Sequence, residues 1–169
     1  MALLTGGKVI VFEKKIRDEL HERGFGELKN KTLTLELLEA LYLAEKEKLV
    51  VTDENQKTIT VESLIALGTR ERKDFYDQFV VYQSFRDRGY SIKTGFKFGF
   101  DFRVYPRGQK AGQAHSEMVV HVFSDRAKLG TKDFSRLVRM SQTLRTKSVI
   151  AVVDAEDEVN FYAVERLTP

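Results

Sequence analysis

Cysteine is absent from the 169 residues. That excludes a disulfide scaffold, a thiolate metal site and a cysteine nucleophile, and it suits a cytoplasmic protein. Histidine is scarce. His21, His115 and His121 are scattered, with no His-x-x-x-His or related spacing, so the pattern offers no metal site. Long apolar runs are missing too: none approaches the roughly 20 residues of a membrane span. The apolar start, Met1 to Leu4, meets Gly6, Gly7 and Lys8 far short of a signal-peptide core. No glycine-rich phosphate loop enters a helix, and there is no G-x-S-x-G. Internal repeats and low-complexity tracts are absent as well. Charge is nearly balanced, 28 Lys and Arg against 25 Asp and Glu, and the net +3 permits a phosphate-rich partner without demanding one. Many charges, no cysteine and few asparagines suit a thermophile.

What is present is a globular composition, 42% hydrophobic, on a chain long enough for one domain or two small ones. The first half alternates strands and helices without a concentrated polar constellation. Lys8 to Phe12 reads as a strand and Glu13 to Arg23 as a helix closed by Gly24 and Gly26. Leu28 to Leu33 reads as a short strand. Thr34 is the expected cap of a helix from Leu35 to Lys48. Leu49 to Thr52 and Lys57 to Thr60 flank turn residues Asp53 to Asn55. Val61 to Leu67 is a short helix.

The second half begins with a helix from Thr69 to about Arg88, whose Phe75, Phe79 and Tyr82 form a core stripe. Strands follow at Tyr90 to Lys93, Lys97 to Tyr105 and Glu117 to Phe123. A helix over Lys132 to Arg145 then precedes Lys147 to Asp154, read as a central strand buried on both faces. An acidic turn, Asp154 to Glu158, leads to a last alternating strand from Val159 to Glu165. The fold class is α+β: a small N-terminal α+β domain at 1–78, then a domain at 79–169 with a mixed β-sheet and flanking helices.

Chemistry concentrates between Gly99 and Phe123. Phe100, Phe102 and Val104 alternate with Asp101, Arg103 and Tyr105, the period of a half-buried strand. Pro106 ends it, and an open basic loop with Gly108 and Gly112 leads to His115 at the mouth of the next strand. Tyr105 and His115 flank this loop, and neither strand needs them there for packing. That pairing suits proton transfer. Lys147, at the start of the later strand, could stabilise a developing negative charge or serve as a helix C-terminal cation. Asp101 with Glu117 is a thin carboxylate cluster for a metal-dependent nuclease.

The segments GFKFGFDFRVYPRG, AHSEMVVHVF and LVRMSQTLRTKSVIAVVDAEDEVNFYAVER resemble the catalytic half of archaeal tRNA-splicing endonucleases. The lead-in FRDRGYSIKTG fits the same half, and GFGELKNKTLTLELLEALYLAEKEKLVV is similar to that family's N-terminal domain, so nearly the whole chain is covered. The resemblance implies a nuclease-like C-terminal domain and a tRNA-intron lyase that needs neither metal nor cofactor. It implies removal of introns from precursor tRNA by cutting both sites of a bulge-helix-bulge, leaving 2′,3′-cyclic phosphate and 5′-OH ends. Tyr105, His115 and Lys147 would be the catalytic residues. The family commonly sets its lysine directly after an arginine, whereas this chain reads Arg145-Thr146-Lys147. Arg139, Arg103 and Arg107 would contact RNA. Two cuts require two sites, so the resemblance also implies a homotetramer, or a heterotetramer with a related subunit. The acidic turn at 154–158 is the candidate contact. A noncatalytic structural or RNA-binding subunit of the same assembly is the alternative.

Overall fold

The computed structural model describes residues 2–167 and 169; Met1, the first residue of the apolar start, lies outside the described residues. The chain forms two compact units that divide between Phe79 and Val80.

In the first unit, Gly6 and Gly7 both hold positive φ, 55° and 72°, and fold the apolar start back on the strand from Lys8. β1 (Ala2–Thr5) therefore pairs antiparallel with β2 (Lys8–Val11), and β1 is a strand that sequence reasoning did not assign. The single strand expected from Leu28 to Leu33 is a hairpin, β3 (Glu27–Lys29) and β4 (Thr32–Leu35). Asn30 and Lys31, with φ of 46° and 69°, make the tight turn. The sheet order is β3-β4-β2-β1-β5, with β5 (Val51–Thr52) parallel to β1. Val9, Val11, Leu33 and Leu35 are fully buried beneath its helices.

Three helices accompany this sheet: α1 (Lys14–Glu22), α2 (Leu37–Glu45) and α3 (Val61–Glu71). Thr34 does not cap α2, because it is a β4 residue. Glu36 is the cap, in a reciprocal box with Glu39. The start is fixed from outside the helix: the buried Glu39 carboxylate also accepts the Gly26 N–H at 2.9 Å. Lys57 to Thr60 is not a strand. Thr58 bridges Thr52 once, and the Thr60 hydroxyl accepts the Ser63 N–H at the start of α3.

The helix expected over Val61 to Leu67 runs on through Gly68 to Glu71 as α3, and the helix expected from Thr69 to about Arg88 begins only at Phe75, as α4 (Phe75–Asp87). The Phe75 ring lies so close to Gly68 that a Cβ there would come within 2.3 Å of it, so the chain bends between Arg72 and Asp74 to bring the ring in.

The second unit is built on β6 (Ser91–Thr94), β7 (Phe102–Tyr105), β8 (Met118–Ser124), β9 (Lys147–Val153) and β10 (Val159–Val164), with α5 (Thr131–Leu144) between β8 and β9. The order is β10-β9-β8-β7-β6. Only β8 and β9 run parallel, and α5 is their crossover. With a mixed sheet in each unit and helices packed beside them, the fold is α+β, as expected.

The α4 stripe is core: Tyr82 meets Phe102 at 6.1 Å between ring centres, and Phe85 meets Phe161 at 5.1 Å. Two sequence expectations change. Lys97 to Asp101 is not strand but a 3₁₀ turn at Phe96–Phe98 followed by Gly99 at φ 86°. The Phe100 ring occupies the space a Cβ on Gly95 would need, at 2.1 Å, and this contact folds the segment into a knot before β7. β9 is second from the edge rather than central. Its Val149, Ala151 and Val153 on one face are buried, while Ile150 and Val152 on the other are half-buried.

Candidate active site

Strand register decides which polar residues meet. Val104 pairs with Met118, and Met118 pairs with Lys147, so one line crosses β7, β8 and β9. Backbone bonds extend it: the Glu117 N–H donates to the Val104 carbonyl at 2.8 Å, and the Lys147 N–H donates to the Glu117 carbonyl at 3.1 Å. Because β7 runs against β8 and β9, its last residue and their first residues share one end of the sheet. Tyr105 is the last residue of β7, Lys147 the first of β9, and His115 lies three residues before β8 begins. With strands about 4.8 Å apart, Tyr105 and Lys147 stand on strands separated by roughly 10 Å. The structure thus brings three residues from separate segments to one sheet end.

Their surroundings differ. His115 is exposed, and so is Lys147, whose ammonium lies 3.9 Å from the Glu117 carboxylate. Tyr105 is 5% exposed, against the expectation that the strand did not need it for packing. β6 lies alongside it with Ser91 directly opposite. The loop from Pro106 turns through Gly108 and Gly112, both at positive φ.

The three arginines separate. Arg107 is two residues beyond Tyr105 and lies over the Tyr90 ring at 5.0 Å. Arg103, on β7, lies over Phe98 at 4.8 Å, and its Nε is buried without a partner. Arg139 is exposed on α5 and lines a surface groove with Phe134, Glu165 and Arg166.

His121 is in the sheet interior and takes no part in this end. It is 3% exposed, edge-on to Phe100, and its pKa falls from 6.5 to about 4, chiefly by burial and then by the positive charge of Arg136. The Asp101 carboxylate accepts the Val122 N–H at 2.7 Å, tying the turn before β7 to β8, so that aspartate has a structural task. Among the described residues no group of three or more His, Asp or Glu is placed to hold a metal ion.

Sequence reasoning missed a second feature of the same sheet end. Thr146, Lys147 and Ser148 line a groove with Gln142 of α5 and with Glu165 and Arg166 beyond β10. The Ser148 hydroxyl is buried and unpartnered. A serine within a run of strand residues carries no signal of this, since only the pairing with β10 and the end of α5 closes the groove.

The chain matches two descriptions of known domains. Residues 1–65 match the tRNA intron endonuclease N-terminal domain, and residues 75–161 match the tRNA intron endonuclease catalytic C-terminal domain. The chain is 37% identical over 163 residues to a tRNA-splicing endonuclease of Pyrococcus abyssi, covering 96% of this chain and 93% of that protein. It is 39% identical over 164 residues to one of Thermococcus gammatolerans, covering 96% and 95%. A third, from Methanothermobacter thermautotrophicus, is 34% identical over 166 residues, covering 97% and 96%.

Proposed function

This chain belongs to the tRNA intron endonuclease family, and from that membership we propose that it is a tRNA-splicing endoribonuclease whose active site is the sheet end holding Tyr105, His115 and Lys147. What supports the assignment is the register line from Val104 through Met118 to Lys147, which brings the end of β7 and the starts of β8 and β9 to one end of the sheet.

The chemistry these groups can supply is transesterification. The ribose 2′-OH attacks the adjacent phosphorus, and the bond to the 5′ oxygen of the next nucleotide breaks. The products are a 2′,3′-cyclic phosphate and a 5′-OH, so the enzyme is a lyase. One proton leaves the 2′-OH and one reaches the departing oxygen, and Tyr105 and His115 are the two transfer groups. Lys147 offsets the negative charge that builds on the phosphorane oxygens. These three groups account for the reaction without a metal ion.

The substrate is precursor tRNA with a bulge-helix-bulge at its exon–intron boundaries, a shape that offers unstacked nucleotides. Arg107 at the sheet end, Arg103 and Arg139 supply cations for the RNA. Each chain carries one such site, so two cuts call for an assembly, a tetramer of this chain or of this chain with a related subunit. β10 suits such pairing: it is an outermost strand, with Tyr162 55% exposed. The acidic turn at 154–158 is the second proposed contact.

The test is cleavage of an intron-containing precursor tRNA in EDTA by wild type and by His115→Ala. Cleavage persists under chelation for wild type, and the variant loses about 10²- to 10⁴-fold in rate while RNA binding survives. Loss of wild-type cleavage in EDTA would sink the metal-free chemistry. Equal rates for the two proteins would remove His115 from the site, and no cleavage in any buffer would favour a noncatalytic subunit.

A further inference from the structure

Lys147 leaves its strand on the side of the sheet away from Tyr105. Side chains alternate between the two faces along a strand, and paired residues share a face. The register line through Val104, Met118 and Lys147 gives those three one face, and Tyr105, next to Val104, the other. The ammonium therefore approaches the phenol only around the end of the sheet. Its side chain is 72% exposed on a flexible stem, so the strand alone does not hold it there.

Glu117 stands between the two strands. Its N–H donates to the Val104 carbonyl at 2.8 Å, and its carbonyl accepts the Lys147 N–H at 3.1 Å. Its main chain is thus tied to β7 beside Tyr105 and to the first residue of β9. Its carboxylate, 37% exposed, lies 3.9 Å from the Lys147 ammonium. An ion pair this open adds little to stability. Its effect is on where the ammonium spends its time.

We propose that Glu117 is a positioning residue, which keeps the Lys147 ammonium at the sheet end where Tyr105 and His115 stand. The role in catalysis rests on the nuclease activity proposed above; the pairing does not. A carboxylate at this place acts on the reaction in two ways of opposite sign. It narrows the conformations of Lys147, so less freedom is lost when the ammonium meets the phosphorane, and kcat rises. It also repels the RNA phosphates, which weakens binding. Removing its charge therefore slows the chemical step and tightens binding together. Loss of a fold contact would slow the step and weaken binding instead. Glutamine keeps the shape of the side chain and both main-chain bonds, so Glu117→Gln isolates the charge.

The experiment measures kcat on an intron-containing precursor tRNA, the Kd for the same RNA, and the thermal midpoint. In Glu117→Gln kcat falls about tenfold, RNA binds a few-fold tighter, and the midpoint stays at the wild-type value. In a Lys147→Ala background the same change has no further effect on kcat, because Glu117 acts through that lysine. An unchanged kcat, weaker RNA binding, a lowered midpoint or a loss fully additive with Lys147→Ala would each overturn the proposal. A second readout needs no activity: trace acetylation of the lysines, followed by mass spectrometry. Pairing protects the amine, so Lys147 is labelled about two- to threefold faster in Glu117→Gln. It is labelled at the wild-type rate in Glu165→Gln, which removes the carboxylate of the neighbouring groove. Equal labelling in wild type and Glu117→Gln, or an equal rise in Glu165→Gln, overturns the pairing. Faster labelling in Glu117→Gln, with no RNA cut by wild type in any buffer, supports the pairing and refutes only the activity.

Discussion

At the scale of single residues, the three histidines have separated by environment rather than by position in the sequence. His115 is exposed at the strand mouth. His121 is held neutral inside the sheet with its pKa near 4. That depression has a sign. The unfolded chain, with a histidine near 6.5, binds a proton that the folded chain refuses until about pH 4. The stability from His121 is therefore complete above about pH 6.5 and is lost as pH falls through about 4. Urea midpoints measured from pH 7 to pH 4 fall for wild type, and the fall is shallower in His121→Phe. Identical slopes would show that His121 does not titrate this way. The period-2 alternation around His121 is legible in the sequence, but whether a sheet residue is covered depends on the helix above it, here α5 with Arg136.

At the scale of elements, two departures from the sequence expectations share one cause. The periodicity predicts a helix from Thr69 and a strand from Lys97, whereas α4 begins at Phe75 and β7 at Phe102. In both places an aromatic ring at or just ahead of the late start packs on an earlier glycine, Phe75 on Gly68 and Phe100 on Gly95. A contact between residues several positions apart overrides local pattern. Gly68→Ala puts a methyl within 2.3 Å of the Phe75 ring and destabilises the first unit by about 1–3 kcal/mol, read as a lower urea midpoint. An unchanged midpoint would show that the ring can move aside without cost. The Asn30-Lys31 turn escapes sequence reasoning for a different reason: lysine is not a residue that announces positive φ, yet it holds 69° between β3 and β4.

At the scale of the whole molecule, the order α4, β6, β7, β8, α5, β9, β10 agrees with the expected helix, three strands, helix and two strands. The consequence is a single parallel pair, β8 and β9, flanked by antiparallel neighbours. That topology sets the proposed catalytic groups at one end and leaves β10 outermost. Assembly through β10 and the acidic turn predicts a mass of four chains of 19.5 kDa by light scattering of the purified protein, or of a smaller species that a related subunit completes. A monomer that cuts both intron boundaries would exclude the tetramer as the functional unit.

The sequence by itself determined most element types, the α+β class and, through segments such as GFKFGFDFRVYPRG and AHSEMVVHVF, the family. Those follow from local periodicity and from motifs contiguous along the chain. Only the tertiary structure decided that Lys147 shares a sheet end with Tyr105 and His115, because strand register is a pairing between distant segments. Only it showed Tyr105 buried, and the Ser148 hydroxyl buried without a hydrogen-bond partner. Burial is a property of neighbours, and a chain read in order does not display them.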